Sequence, residues 1–233
     1  MAASASSSTL FSAFEPQLSL SSNRSHFRST LSLPRRQFRL RNNLRVSASV
    51  SSPSEVRTSA ADLVSSILSK VTQTDRGVLL TREDHKAVGE IAEELQKYCV
   101  DAPVKCPLIF GEWDVVYCSN PTSPGGGYRS AIGRLVFKTN EMIQTVEAPD
   151  TVGNKVSFSA FGFLEGEVSL KGKLIPLDEK WIQVIFEAPK LKVGGQEFQY
   201  GGQSEVKLQI TYIDEKVRLG KGSRGSLFVF LRR

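Results

Sequence analysis

The sequence predicts a mainly β protein: an antiparallel β-barrel of about eight strands behind an N-terminal helical lead-in. Three observations carry this. The run Leu108-Ile109-Phe110-Gly111-Glu112-Trp113-Asp114-Val115-Val116-Tyr117-Cys118 puts a Gly-x-Trp at the entry to an apolar/polar alternation, as small barrels with a ligand-sized interior often begin. The chain closes on a second strand-like run, Gly225-Ser226-Leu227-Phe228-Val229-Phe230-Leu231-Arg232, so its two ends are placed to pair. From residue 109 the apolar period also changes from 3.6 to 2, with turn residues between the runs.

Residues 1–48 stand apart. They hold seven arginines, no lysine, many serines and one acid, Glu15, the composition of an organelle transit peptide. The Met-Ala-Ala start and heavy Ser content favour the chloroplast, and Arg45-Val46-Ser47-Ala48 resembles a processing site. No run of 18 apolar residues is present to span a membrane. The formal charge of +6 belongs to this segment, because the rest of the chain holds 23 basic and 23 acidic residues. A neutral domain has no long-range field to hold a polyphosphate, so nucleic acid is not an expected partner.

After a linker over 49–57, the helical lead-in is expected over 58–107. Ala60, Leu63, Val64, Ile67, Leu68 and Val71 form one helical stripe. Thr81 is placed as the N-cap of a second helix, with Asp84 in a capping-box position. That helix buries Val88, Ile91, Ala92, Leu95 and Tyr98 and turns an acidic face to water, which suits packing on the next domain better than lying on a membrane.

The barrel is expected over 108–233. Strands are predicted over 110–118, 128–138, 142–148, 155–163, 166–175, 180–188, 205–213 and 225–232, with a weaker one at 193–200. Pro124-Gly125-Gly126-Gly127 reads as a loop at a barrel mouth. At Phe161-Gly162-Phe163 the alternation shifts phase, which predicts a bulge or bend. An eight-stranded barrel is either filled by its own side chains or holds one small ligand, and both stay open here. Phe137, Phe158, Phe163 and Phe186 are the candidate ligand-contacting residues.

Chemistry is scarce. Beyond residue 48 there is one histidine, His85, expected on the wet face of the second helix beside Glu83 and Asp84. No nucleophile–base pair can be assembled, so no catalytic residue is assigned and none for a metal or cofactor. Cys99, Cys106 and Cys118 lack metal-ligand spacing and read as reduced thiols. Gly220-Lys221-Gly222-Ser223-Arg224-Gly225 matches G-x-G-x-x-G, but a strand follows it rather than a helix, so it reads as a hairpin. Asp214 and Arg218 are expected to pair across a turn, with a ligand head-group role as the second choice, and Arg232 to lie over Trp113.

The block Gly111–Ser119, with Tyr212-Ile213-Asp214, Val217–Gly222 and Gly225–Arg232, resembles the plastid-lipid-associated proteins, or plastid fibrillins. The resemblance covers roughly 58–233; Lys221-Gly222 stands where the family usually has Arg-Gly. It implies a lipocalin-like barrel imported into chloroplasts. It also implies peripheral association with thylakoids or lipid droplets (plastoglobules), or residence in the stroma, and binding of prenylquinones, carotenoids or acyl lipids. The matched positions, Gly111, Trp113, Tyr212, Asp214, Arg218, Gly222, Gly225 and Arg232, are expected to be structural. The family supplies no catalytic residues. The leading reading is thus a non-enzymatic protein that binds or organises hydrophobic molecules. The alternative is a protein-interaction scaffold, a packed barrel that recruits a plastid enzyme.

Overall fold

A computed structural model describes residues 59–120 and 133–233. Two helices come first, α1 (Ala60–Val71) and α2 (Arg82–Gln96). Both open with reciprocal caps: Ser59 with Asp62, and Thr81 with Asp84, each acid accepting from its cap residue's backbone N–H. The loop between them lies hard against the barrel. Gly77 has φ +93°, and a Cβ there would come within 2.9 Å of the Cys118 carbonyl oxygen. Two short 3-10 turns, Pro103–Lys105 and Pro107–Ile109, then lead into the sheet.

The strands are β1 (Gly111–Cys118), β2 (Phe137–Glu147), β3 (Thr151–Ala160), β4 (Leu164–Pro176), β5 (Trp181–Phe186), β6 (Lys190–Val193), β7 (Gln196–Gln199), β8 (Ser204–Ile213), β9 (Val217–Gly222) and β10 (Leu227–Arg232). A short helical turn, α3 (Gly133–Val136), precedes β2. All pairings are antiparallel, in the order β3-β2-β1-β10-β9-β8-β5-β4, and β4 pairs back onto β3. The result is a closed eight-stranded barrel. β1 and β10, the two ends of the domain, are its seam, with Trp113 opposite Arg232. The hairpin β6–β7 is an addition: β6 extends along the β4 edge that β5 leaves free at Gly166–Ser169.

Two clusters hold the fold. One fills the barrel with Trp113, Val146, Val152, Leu174, Ile182, Val184, Phe186, Ile210 and Phe230, and residues Val104 and Ile109 of the 3-10 segment close its base. The other lies outside, where α1 and α2 bury Leu63, Ile67, Val88 and Leu95 against Tyr117, Tyr212, Val217, Leu219 and Val229. Register shifts make this second layer. The pairing slips between Val115 and Tyr117 in β1 and between Ile210 and Tyr212 in β8. A slip of one residue sends the following side chain to the opposite face, so both tyrosines leave the interior and meet the helices.

Several expectations change. Strand 155–163 ends at Ala160, because Phe161-Gly162-Phe163 is the β3–β4 turn rather than a bulge, with positive φ at Phe161 and Gly162. The expected strand over 128–138 begins only at Phe137 in the described residues, and the transit segment and the 124–127 loop lie outside them. His85 is not on the wet face: its Nδ1 lies 2.7 Å from the Tyr117 hydroxyl, between α2 and β1. Burial pushes the Tyr117 hydroxyl up to about 12, so it stays protonated in that contact.

Phe186→Ala should cost about 3–5 kcal/mol of stability, since it empties a filled interior. Phe163→Ala, on the exposed turn, should change it by less than about 0.5 kcal/mol. Urea unfolding followed by circular dichroism compares the two.

Candidate functional site

The candidate site is the lumen, built upward from the base. Trp113 is fully buried, and its indole Nε1 donates to the Ile109 carbonyl at 3.1 Å. Arg232, from the last strand, places its guanidinium 4.2 Å from the indole centroid. It donates to the carbonyls of Phe110, at 3.0 Å, and Leu108. One cation therefore packs on the ring and ties down the segment that seals the base. Gly111 is required beside it: φ is +126°, and a Cβ would sit 2.6 Å from the Arg232 Nη1.

Arg218 is the unexpected member. It does not pair with Asp214 across the turn. Asp214 Oδ1 instead accepts the backbone N–H groups of Lys216 and Val217 at 2.7 Å, and its Oδ2 accepts the Tyr212 hydroxyl at 2.9 Å. The turn is thus held by an Asx arrangement. Arg218 points inward because it alternates with the outward-facing Val217 and Leu219. It is 1% exposed, with its guanidinium carbon 4.3 Å from the Phe230 centroid and 4.8 Å from that of Trp113.

From there a polar row crosses the lumen. Arg218 Nη2 donates to Gln144 Oε1, and Gln144 Nε2 donates to Asn154 Oδ1 at 3.1 Å. Among the described residues the Nε and Nη1 of Arg218 have no hydrogen-bond partner, nor has the Nε of Arg232. Burial pulls the Arg218 pKa down to about 9, and the nearby Arg232 charge pushes the same way. At neutral pH the guanidinium is still charged, inside an apolar barrel and without a carboxylate.

Above this row the wall is apolar and incompletely covered. Met142, Val156, Phe158 and Phe228 share the inward phase of their strands yet remain only part-buried. Phe137 meets Phe158 edge-on at 5.8 Å, and the Phe158 ring lies over Gly166 opposite, in space that any side chain there would fill. The four predicted phenylalanines therefore separate. Phe137 and Phe158 line the upper lumen, and Phe186 is part of the filled core, packed over Gly172. Phe163 is 79% exposed on the β3–β4 turn, outside the lumen. Of the remaining signature positions, Gly222 ends β9 and Gly225, with φ +86°, makes the turn into β10.

A surface cleft of about 450 Å³ lies elsewhere, on the outer wall along β4 and β5, lined by Asp150, Lys171, Lys173, Ile175, Ile185 and Glu187. Its alternating charges suit water better than an apolar ligand. Sequence reasoning missed Gln144 and Asn154. Each is a polar residue in an inward phase, Met142-x-Gln144-x-Val146 and Val152-x-Asn154-x-Val156, and that signal was present.

Fold and site together define a small closed barrel with an apolar lumen above a sealed base. The PAP_fibrillin family model matches residues 61–200, more than half of the chain. "Probable plastid-lipid-associated protein 8, chloroplastic" from Arabidopsis thaliana is 60% identical over 238 residues, covering 100% of both chains. This chain belongs to the plastid-lipid-associated, or plastid fibrillin, family. Among solved structures, a redesigned β-barrel, mFAP1, bound to DFHBI, matches at 12% identity over 54% of this chain and 95% of its own, with a TM-score of 0.23.

Arg232→Met should cost about 2–3 kcal/mol, because it leaves the Leu108 and Phe110 carbonyls without their charged donor. The same variant should shift Trp113 emission to the red as the base loosens. Unchanged stability and emission would remove Arg232 from the closure.

Proposed function

We propose that this chain is a non-enzymatic chloroplast protein that binds or organises hydrophobic molecules at thylakoid or plastoglobule surfaces. The ligand class is a prenylquinone, a carotenoid or an acyl lipid, and residues 1–48 act as the transit peptide, removed on import. The chloroplastic relative and the family name support the compartment and the lipid association. The observation that carries the reading is the upper lumen, where Phe137, Met142, Val156, Phe158 and Phe228 line the wall but keep access to solvent. An apolar ligand entering there gains about 25 cal/mol for each Å² of apolar surface it covers.

Membrane contact follows from the opposite end to the sealed base. Phe161, Phe163 and Leu135 are 66%, 79% and 85% exposed. They are neighbours, since Phe161 donates its N–H to the Val136 carbonyl. No helix among the described residues is long and apolar enough to cross a membrane. A tip of exposed apolar side chains at the barrel's open end instead suits shallow insertion, with the ligand delivered through the same end. The filled lower half favours the alternative, a scaffold that recruits a plastid enzyme.

Full-length protein titrated with plastoquinone, tocopherol and acyl lipids should show saturable quenching of Trp fluorescence with at least one of them. No quenching with any would leave the scaffold reading. Phe161→Ser combined with Phe163→Ser should weaken flotation with uncharged glycolipid vesicles by about tenfold or more, without loss of fold.

A further inference from the structure

We propose that the lumen is a site for a carboxylate on a long apolar chain, with Arg218 receiving the head group and the upper wall receiving the chain. The inference rests on the lumen's being the lipid site and adds the chemistry at its floor.

The first observation is an uncompensated charge. Arg218 is 1% exposed, no acidic side chain among the described residues pairs with it, and its buried Nε and Nη1 have no acceptor there. A buried guanidinium left unpaired is costly to keep, and burying it beside a second cation, Arg232, adds repulsion. Stacking on Trp113 and Phe230 offsets part of that cost, yet it satisfies no N–H. The missing partner is an anion with acceptor oxygens.

The second observation is what surrounds the charge. On β1 and β2, Asp114 and Glu141 are turned outward and both held by Arg233 on the outer wall, at 3.3 and 2.8 Å. Neither can swing in to serve Arg218 without breaking that cluster. Inward, the neighbours are amides. Gln144 accepts from Arg218 and passes its own donor to Asn154, so both can turn toward a bound oxygen. A single carboxylate can accept from the Nε–H of Arg218 or from its Nη1, and neutralises one charge. The chain behind it would run past Met142, Val156 and Phe158 toward the open end. A neutral quinone or carotenoid offers that floor no charge.

The test uses the full-length chain with cis-parinaric acid as the fluorescent probe and its methyl ester as the control. The acid should bind about tenfold to a hundredfold tighter than the ester, the range for hydrogen bonds to a charged group. Acetate at the same concentration should not displace it. Arg218→Met should bring the acid to the ester's affinity while leaving the ester unchanged, and its melting temperature without ligand should be equal to or above that of the parent protein. Equal affinity for acid and ester in the parent protein overturns the carboxylate assignment and leaves the lipid-binding reading standing. No saturable binding of either overturns both. A lower melting temperature of Arg218→Met with unchanged preference for the acid makes Arg218 structural. If that variant fails to fold, the parent protein loaded with carboxyl-¹³C oleate decides. A carboxyl signal that does not titrate between pH 7 and about 4 supports the proposal, and one that titrates as in vesicles overturns it.

Discussion

The contact between Arg232 and Trp113 is the constraint on which the rest of the barrel depends. A sheet that curls into a barrel has to join its first strand to its last, and here those strands are β1 and β10. Strand pairing alone would leave a ring open at both ends. The guanidinium on the indole, with its two donors to Leu108 and Phe110, converts that ring into a cup by fixing the segment that enters it. An Arg does this where a Lys would not, since its planar fork stacks on a ring and donates in two directions at once. Gly111 has no side chain for the same reason, because the guanidinium occupies that space.

The cup needs a wall that faces two ways. β1, β8 and β10 present apolar side chains to the lumen and again to α1 and α2, and β9 turns Val217 and Leu219 to the helices, whereas β3 and β4 face water outside with Lys155, Glu167, Lys171 and Lys173. The helices therefore buttress the seam side. His85 and Tyr117 make a polar contact where the buttress touches, within a largely apolar layer. The opposite side, β2 to β4, carries the part-buried wall residues Met142, Val156 and Phe158 and the exposed turn. Rigidity at the seam and access across from it follow from the same division of apolar surface.

Much of this was legible in the sequence. The opening Gly-x-Trp, the closing strand, the capped second helix and the switch of period all act through neighbours close in the chain or through simple alternation, which a sequence displays. What failed depended on register. Phe163 reads as inward when the phase shift at Phe161-Gly162-Phe163 is taken as a bulge or bend within one strand rather than a turn between two, and His85 reads as solvated because its partner lies 32 residues away on another element. The added hairpin β6–β7 is a choice of which edge to extend, and nothing local encodes that. Arg218 was misplaced for a different reason: four residues from Asp214, it looked like half of an ion pair. The alternation Val217-Arg218-Leu219 said inward, and charge pairing said outward. The alternation decided, because Val217 and Leu219 are wholly covered by the helices and leave Arg218 no other face.

That outcome reshapes the meaning of the signature block. Its charged residues do different work: Asp214 ends a hairpin through backbone N–H groups, Arg232 seals the base, and Arg218 stands within the lumen with donors unspent. If packing were the only demand, a Met or Leu at 218 would fill the same space without desolvating a charge. The inward Gln144 and Asn154 carry the same argument, since each replaces an aliphatic residue in a strand whose other inward positions are apolar. Three polar side chains from β9, β2 and β3 converge in one layer, between a filled base and a part-open apolar wall. Under the proposed carboxylate site that layer has a use, since it would tell one end of an apolar molecule from the other.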